Sequence, residues 1–259
     1  MGIQGAAIAT VIGQFLAMSF TVFVFFKRKQ EVNLNYKGFK FELKNVSVIF
    51  KIGLPTIILN AVGSFTLMAM NAIIKTLSKF SITILGLYFK VQSFVFMPVF
   101  GLNQGIMPIL AYNYGANNKE RFNKAFSIGI KVALCIMSAG FLLFFFGSEL
   151  LLKLFNAEEA MLTEGMYAFK TISLCFIPAA FSILIITMFQ SIGHGIKSLI
   201  MSLARQLGLL LPLAIILKNQ FGLKGVWYAY PIAEIIVLVV FLPIAIKTII
   251  KVFKQKEKI

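Results

Sequence analysis

Three ionisable residues, Lys90, Arg205 and Glu234, interrupt apolar stretches long enough to cross a lipid bilayer. A charge at the centre of a bilayer costs at least ~2.5–3.5 kcal/mol, so each needs a reason to be there. Glu234 lies nine residues beyond Gly225, which at 1.5 Å per helical residue puts it ~14 Å deep. A carboxylate cannot snorkel that far and has to be protonated, paired or facing water. Two roles stay open for it: a proton-coupling acid, or a neutral, hydrogen-bonded structural glutamate. Arg205 sits a turn or two from a span end, where a long side chain reaches the headgroups, and is expected to be an anchor. Lys90, in "LYFKVQSF", is expected to face a central cavity, where its charge repels a cation or pairs with an acid from elsewhere. The bland alternative is a lysine snorkelling outward. Lys90 and Gln92 lie 200° apart on a helix, so one stripe faces the cavity while the other packs.

Amides extend the pattern. Asn60, Asn71, Gln92, Asn103, Gln104 and Gln190 break up otherwise greasy sequence. Each alone is explained by a helix–helix hydrogen bond worth about 0.6 kcal/mol; together they suggest a wet interior or a substrate path. The cavity candidates are therefore Lys90, Gln92, Asn60, Asn103 and Gln190. Catalytic chemistry finds little support. The sequence has no Asp and a single His, too few to cluster metal ligands. Cys135 and Cys175 fall in apolar spans, where a thiol behaves as a small hydrophobe. His194 in "GHGIKS" lacks the Gly directly before Lys that a phosphate loop needs, and no nucleophile–base pair stands out. The expectation is no enzyme, no metal and no bound cofactor.

The elements that must hold these residues are membrane helices. Of 259 residues, 59% are hydrophobic and 13% charged, with a mean hydropathy of +0.89; soluble domains carry about 25% charged residues. Gly2 to Phe26, Ile52 to Ile74, Val132 to Ser148 and Thr171 to Ile196 contain no charge. Three more spans, about 82–112, 198–217 and 225–246, each admit one of the ionisable residues above. A span needs about 20 apolar residues, so seven are expected. Backbone hydrogen bonding in lipid makes the bundle all-α. The first span has no basic residue before it and exceeds the apolar core of a signal peptide, so it reads as a span rather than a leader. Pro55, Pro98, Pro108, Pro178, Pro212, Pro231 and Pro243 lie in or at the ends of the spans, which suits a bundle that bends.

Lys and Arg concentrate in 27–51, 119–131, Lys197, Arg205 and the tail, whereas Glu149, Glu158, Glu159 and Glu164 gather in one of the alternate connections. Basic excess marks the cytoplasmic side, so the C-terminus is expected in the cytoplasm of a multi-pass plasma-membrane protein. The net charge of +16 is thereby a matter of topology and attraction to anionic lipid, and nucleic-acid binding is set aside.

"GLKGVWYAY" (222–230) and "GIQGAAIAT" (2–10) each open an apolar span with the same Gly-x-x-Gly start. Internal repeats build many transporters, and this recurrence reads as a duplication of about six helices. On that reading 1–26 is the last helix of a first lobe, 27–51 a cytoplasmic linker, 52–250 a six-helix second lobe and 251–259 a basic tail. The chain then looks like somewhat more than half of a larger protein.

"FKIGLPTIILN" (50–60), "LGLYFKVQSFVFMPVFGLNQGIMPILAYNYGANNKER" (85–121) and "FGLKGVWYAYPIAE" (221–234) resemble the multidrug and toxic compound extrusion (MATE) transporters. "GIQGAAIATVIGQ" is similar to the opening of that family's sixth helix, so the resemblance covers helices six to twelve of twelve. It implies export of amphipathic, often cationic organic compounds, driven by a sodium or proton gradient, with two lobes rocking between inward- and outward-open states. Some members carry acids in the seventh and tenth helices; Ile52 to Ile74 and Thr171 to Ile196 have none, which points ion coupling to the missing N-terminal lobe. Two other readings stay open. A lipid-linked oligosaccharide flippase of similar fold would want several cationic cavity residues, for which Lys90 is the one convincing candidate. A non-transporting membrane subunit from a split gene is the other.

Overall fold

The computed structural model describes residues 2–27 and 43–256. Residues 28–42 of the expected linker, residues 257–259 of the expected tail and the side chain of Asn60 lie outside the described residues. The order is α1 (Gly2–Lys27), α2 (Leu43–Ile74), α3 (Ser81–Gly115), α4 (Lys119–Phe146), α5 (Ser148–Leu154), α6 (Glu159–Ser173), α7 (Phe176–Ser191), α8 (Gly195–Leu203), a π-helical segment Ala204–Leu210 and α9 (Leu211–Lys256). No strand occurs among the described residues.

The chain divides into two units, 1–47 and 48–259. In the first, α1 carries Phe15, Phe20 and Phe26 exposed, as a helix surrounded by lipid would. In the second, α3 packs on α4 and α7, α4 on α7, and α7 on α9. Gly129 and Gly140, three turns apart on α4, let Ile106 and Val95 of α3 reach its backbone, the small-residue contact that replaces hydrophobic drive between helices in lipid. The centre is aromatic: Tyr88, Phe144, Phe169 and Phe176 are fully buried, with Phe144 edge-on to Tyr88 at 5.7 Å and to Phe176 at 5.1 Å.

Among the described residues, four helical runs are long and apolar enough to cross a membrane, Ala7–Lys27, Ser81–Gly115, Lys119–Phe146 and Gly195–Lys254, or five with the bent pair Met161–Ser173 and Phe176–Ser191. Ala61–Ile74 is a shorter apolar helix. The expected span at Thr171 to Ile196 is corrected: the helix starts at Glu159 and bends 46° before Phe176. Pro178 supplies the cause, because its ring has no N–H and collides with the carbonyl four residues back, which belongs to Leu174, the residue capping α6. Sequence reading missed the first half because Glu164 and Lys170 lie within it. Met161, Ala168, Phe169 and Ile172 on its other face are buried.

The run from 195 to 254 is two arms, not one rod. Arg205 and Glu234 touch, although 29 residues of unbroken helix would separate them by ~43 Å. The chain reverses at Gly222, whose φ of 59° and ψ of −140° lie in a region open essentially to glycine alone. Three residues on, a Cβ at Gly225 would sit 2.1 Å from the carbonyl oxygen of Leu217. Both glycines of "GLKG" are therefore required, one to turn the chain and one to let the arms close.

Side chains tie the connections into two ends. At one, Phe253 meets Tyr114 and Phe122 at 6.0 and 5.3 Å, and Lys197 donates to Thr248 at 2.8 Å. Asn117 takes φ 54° and Asn118 caps α4 by accepting from the Arg121 N–H at 2.9 Å, so "GANNKER" is a turn with a built-in cap. At the other, Ser78 donates to Glu164 at 2.7 Å, and the Lys224 ammonium lies 5.2 Å from the Tyr167 ring. Helix α9 runs on to Lys256, so residues 251–256 of the expected tail are helical, with Val252 and Phe253 buried.

Candidate functional site

Glu234 and Tyr230 stand one turn apart on α9, on the face turned inward, and the side chain of Glu234 is 8% exposed. Arg205 approaches from the π-helical segment, whose i→i+5 pattern is often found at functional sites. Its Nη1 reaches Glu234 Oε2 at 3.5 Å, at the outer limit of hydrogen bonding. Arg205 is thus not the headgroup anchor expected from its position; it turns inward because a buried carboxylate offers it a partner. Of the three conditions open to the Glu234 carboxyl, protonated, paired or facing water, the structure displays pairing.

The pair is only half made. Arg205 Nε and Glu234 Oε1 are buried and have no hydrogen-bond partner among the described residues, and neither has the Tyr230 hydroxyl. Tyr88 Oη is in the same condition apart from the Cys175 thiol beside it. A guanidinium and a carboxylate normally meet through two parallel bonds of about 2.7–2.9 Å.

These groups line a cleft of about 370 Å³ between α2, α3, α7, α9 and the π segment, with Thr66, Gln92 and Gln206 among its polar members. Arg205 and Gln206 also line a second cleft, of about 410 Å³, with Asn103, Gln104, Thr187 and Gln190. There Asn103 Oδ1 is buried without a partner, while Gln206 donates to Ser202 at 3.2 Å. The guanidinium thus stands where the two clefts meet.

Of the sequence-derived candidates, Gln92 and Glu234 come together in the first cleft, and Asn103 and Gln190 in the second. Lys90 is exposed and lines a shallow hollow with Asn71, Gly86 and Ser93; the rotation separating it from Gln92 puts the two on different surfaces. Sequence reading missed Tyr88, Tyr230 and Arg205 as one cluster. The one available signal was the recurrence of an inward-facing polar residue at Tyr230 and Glu234.

A multi-pass helical bundle with ionisable and amide groups converging on clefts inside its apolar mass has the architecture of a membrane transporter. The comparisons agree. The MatE family model matches residues 55–216, and the chain belongs to the MatE family. It is 29% identical over 239 residues to the multidrug export protein MepA of Staphylococcus aureus, covering 90% of this chain and 51% of that one. With MepA of Staphylococcus haemolyticus it shares 25% over 234 residues and the same coverage. An outward-facing multidrug resistance MATE transporter of the MOP superfamily superposes with a TM-score of 0.88 at 23% identity, over 98% of this chain and 58% of that one. An inward-facing conformation gives 0.79, over 98% and 59%. The chain spans about half the length of the curated relatives it matches.

Proposed function

We propose that this chain is the second lobe, with the helix preceding it, of a cation-coupled multidrug exporter. Its joined clefts are that lobe's share of the substrate path. The observation that carries the reading is the first cleft, an ionisable pair and unpartnered hydroxyls held among membrane helices of a MatE-family chain. Small amphipathic or cationic organic compounds are the proposed substrates, and export is expected to need a first lobe, because alternating access rocks two lobes around a shared site. A sodium or proton gradient supplies the drive, entering through acids of that first lobe. The plasma membrane is the site of action, with the C-terminus in the cytoplasm.

The test is export of ethidium from an efflux-deficient bacterium. The chain is expressed alone and joined to the first lobe of MepA. The joined protein should lower cell-associated ethidium, and an ionophore should abolish the effect; the chain alone should not. A joined protein that reaches the membrane yet exports nothing overturns the reading.

A further inference from the structure

A hollow of about 360 Å³ lies between α6 and the arm that follows Gly222, at the end of the bundle away from Phe253, and shares no lining residue with either cleft. Trp227, 1% exposed, is its floor, and Phe221, 63% exposed, stands at its rim. Glu164 and Lys224 carry its charge, and Lys224 is exposed. Neither forms an ion pair among the described residues. Ser78 donates to Oε2 of Glu164 at 2.7 Å, and the Lys224 ammonium lies 5.2 Å from the Tyr167 ring. Oε1 of Glu164 and the N–H groups of Lys224 have no hydrogen-bond partner among the described residues.

The hollow sits at headgroup level. Glu164 lies three residues into the apolar run that begins at Met161, a depth of about 4.5 Å. Tyr167, Trp227 and Tyr228 gather there, as aromatic rings do where lipid meets water. Beyond Lys224, Tyr228, Ile232, Ile235 and Val239 are all exposed, and the 100° helical step puts them within about 80° of Lys224 on one face of α9. An apolar lane thus leads from the hollow along the membrane-spanning arm.

The charges select the headgroup. An anionic lipid would find Lys224 but meet the carboxylate of Glu164. A quaternary ammonium offers Glu164 no N–H, and the Tyr167 ring that could receive it already faces Lys224. A phosphate joined to a primary ammonium gives Lys224 an acceptor and Glu164 a donor. We propose that the hollow holds a phospholipid of the phosphatidylethanolamine kind, its phosphate on Lys224, its ammonium on Glu164 and an acyl chain along Tyr228, Ile232 and Ile235. Such a lipid ties α6 to the arm after Gly222 from outside the bundle.

The full chain in detergent is offered equal amounts of dioleoyl phosphatidylethanolamine, phosphatidylcholine and phosphatidylglycerol, and retained lipid is counted by native mass spectrometry. Hydrogen bonds to charged groups are strong enough for the ethanolamine lipid to outnumber the choline lipid about fivefold or more. Glu164→Gln, which still offers Ser78 an acceptor, should bring that ratio near one. Ser78→Ala removes the tether but keeps the carboxylate, and should leave the ratio standing. Lys224→Gln should lower retention of both zwitterionic lipids a few-fold, and Lys224→Arg should restore it. The ethanolamine-to-choline ratio is taken within each variant, so a loss of folded protein does not imitate the effect. Equal retention of the two lipids by the wild type, a preference for phosphatidylglycerol, or a ratio that survives Glu164→Gln overturns the inference. A ratio that collapses in Ser78→Ala, or retention untouched by Lys224→Gln, overturns it too. So does displacement of the lipid by excess glycerophosphoethanolamine, which carries the headgroup without the chains. Each of these results leaves the exporter reading standing, because that reading rests on the two clefts.

Discussion

Two ion pairs in this chain look misordered by distance. Lys153 and Glu149 on α5 meet at 2.6 Å with side chains 58% and 56% exposed. Arg205 and Glu234 meet at 3.5 Å with side chains 23% and 8% exposed. The shorter contact joins two residues four apart on one surface turn, where solvent screens the attraction and such pairs contribute little. The longer one joins two arms of a reversed chain in a medium that opposes isolated charge. Environment, not separation, decides which pair the fold depends on. The contrast extends to protonation: the ammonium of Lys153, through hydrogen bond and charge, holds the Glu149 carboxyl below its ordinary range, and Glu149 raises the Lys153 ammonium in return.

Breaking the buried pair should have the largest effect. Arg205→Met strands the Glu234 carboxylate and is expected to cost about 3–5 kcal/mol of stability, whereas Arg205→Met with Glu234→Met should recover most of that loss. Thermal unfolding of the purified chain in lipid checks both. A single variant as stable as wild type would mean that no buried charge is being neutralised.

Loosening the closure of the arms should come next. Gly225→Ala puts a methyl 2.1 Å from the Leu217 carbonyl oxygen, and a collision with backbone is relieved only by moving an arm, at about 1–3 kcal/mol. Mass-spectrometric hydrogen exchange across 211–234 should speed up in that variant and stay unchanged elsewhere.

The surface pair should barely register. Glu149→Gln is expected to leave the melting temperature within error. A lowered carboxyl stabilises above its unfolded value, about 4.3, and loses that as pH falls through the folded one. A raised ammonium stabilises below its unfolded value, about 10.4, and loses that as pH rises. Whatever small offset separates wild type from Glu149→Gln should therefore stay constant from about pH 5 to 9, the two melting profiles running parallel. A gap opening inside that window would make α5 more than a surface turn.

The same contrast marks what the sequence could disclose. Apolar runs announced the helices, because burial in lipid writes itself into consecutive residues. The glycines of "GLKG" stood out as a repeated motif, whereas the need for glycine at Gly222, with its φ of 59°, emerged only from the structure. The helix break after Ser173 went unread, since Glu164 and Lys170 masked an apolar face and the cause, Pro178, acts four residues back along the chain. The partnership of Arg205 with Glu234 was closed to sequence reading altogether. Each residue looked interpretable alone, as an anchor and as a solitary acid, and only a reversal between them and a π segment beneath one of them bring them together.

The turn at Gly222 has a consequence for timing along the chain. Each residue added to a helical arm advances everything beyond it by 100° and 1.5 Å, so the meeting of 205 with 234 compares the phases of two screws joined at their tips. The π segment at Ala204–Leu210, with its longer repeat, shifts one screw before the comparison is made. An insertion or deletion of a single residue anywhere between Leu211 and Ala233 would carry one partner round to the lipid. This stretch is therefore a vernier, tolerant of exchanges in residue type along its outer faces and intolerant of any change in its count.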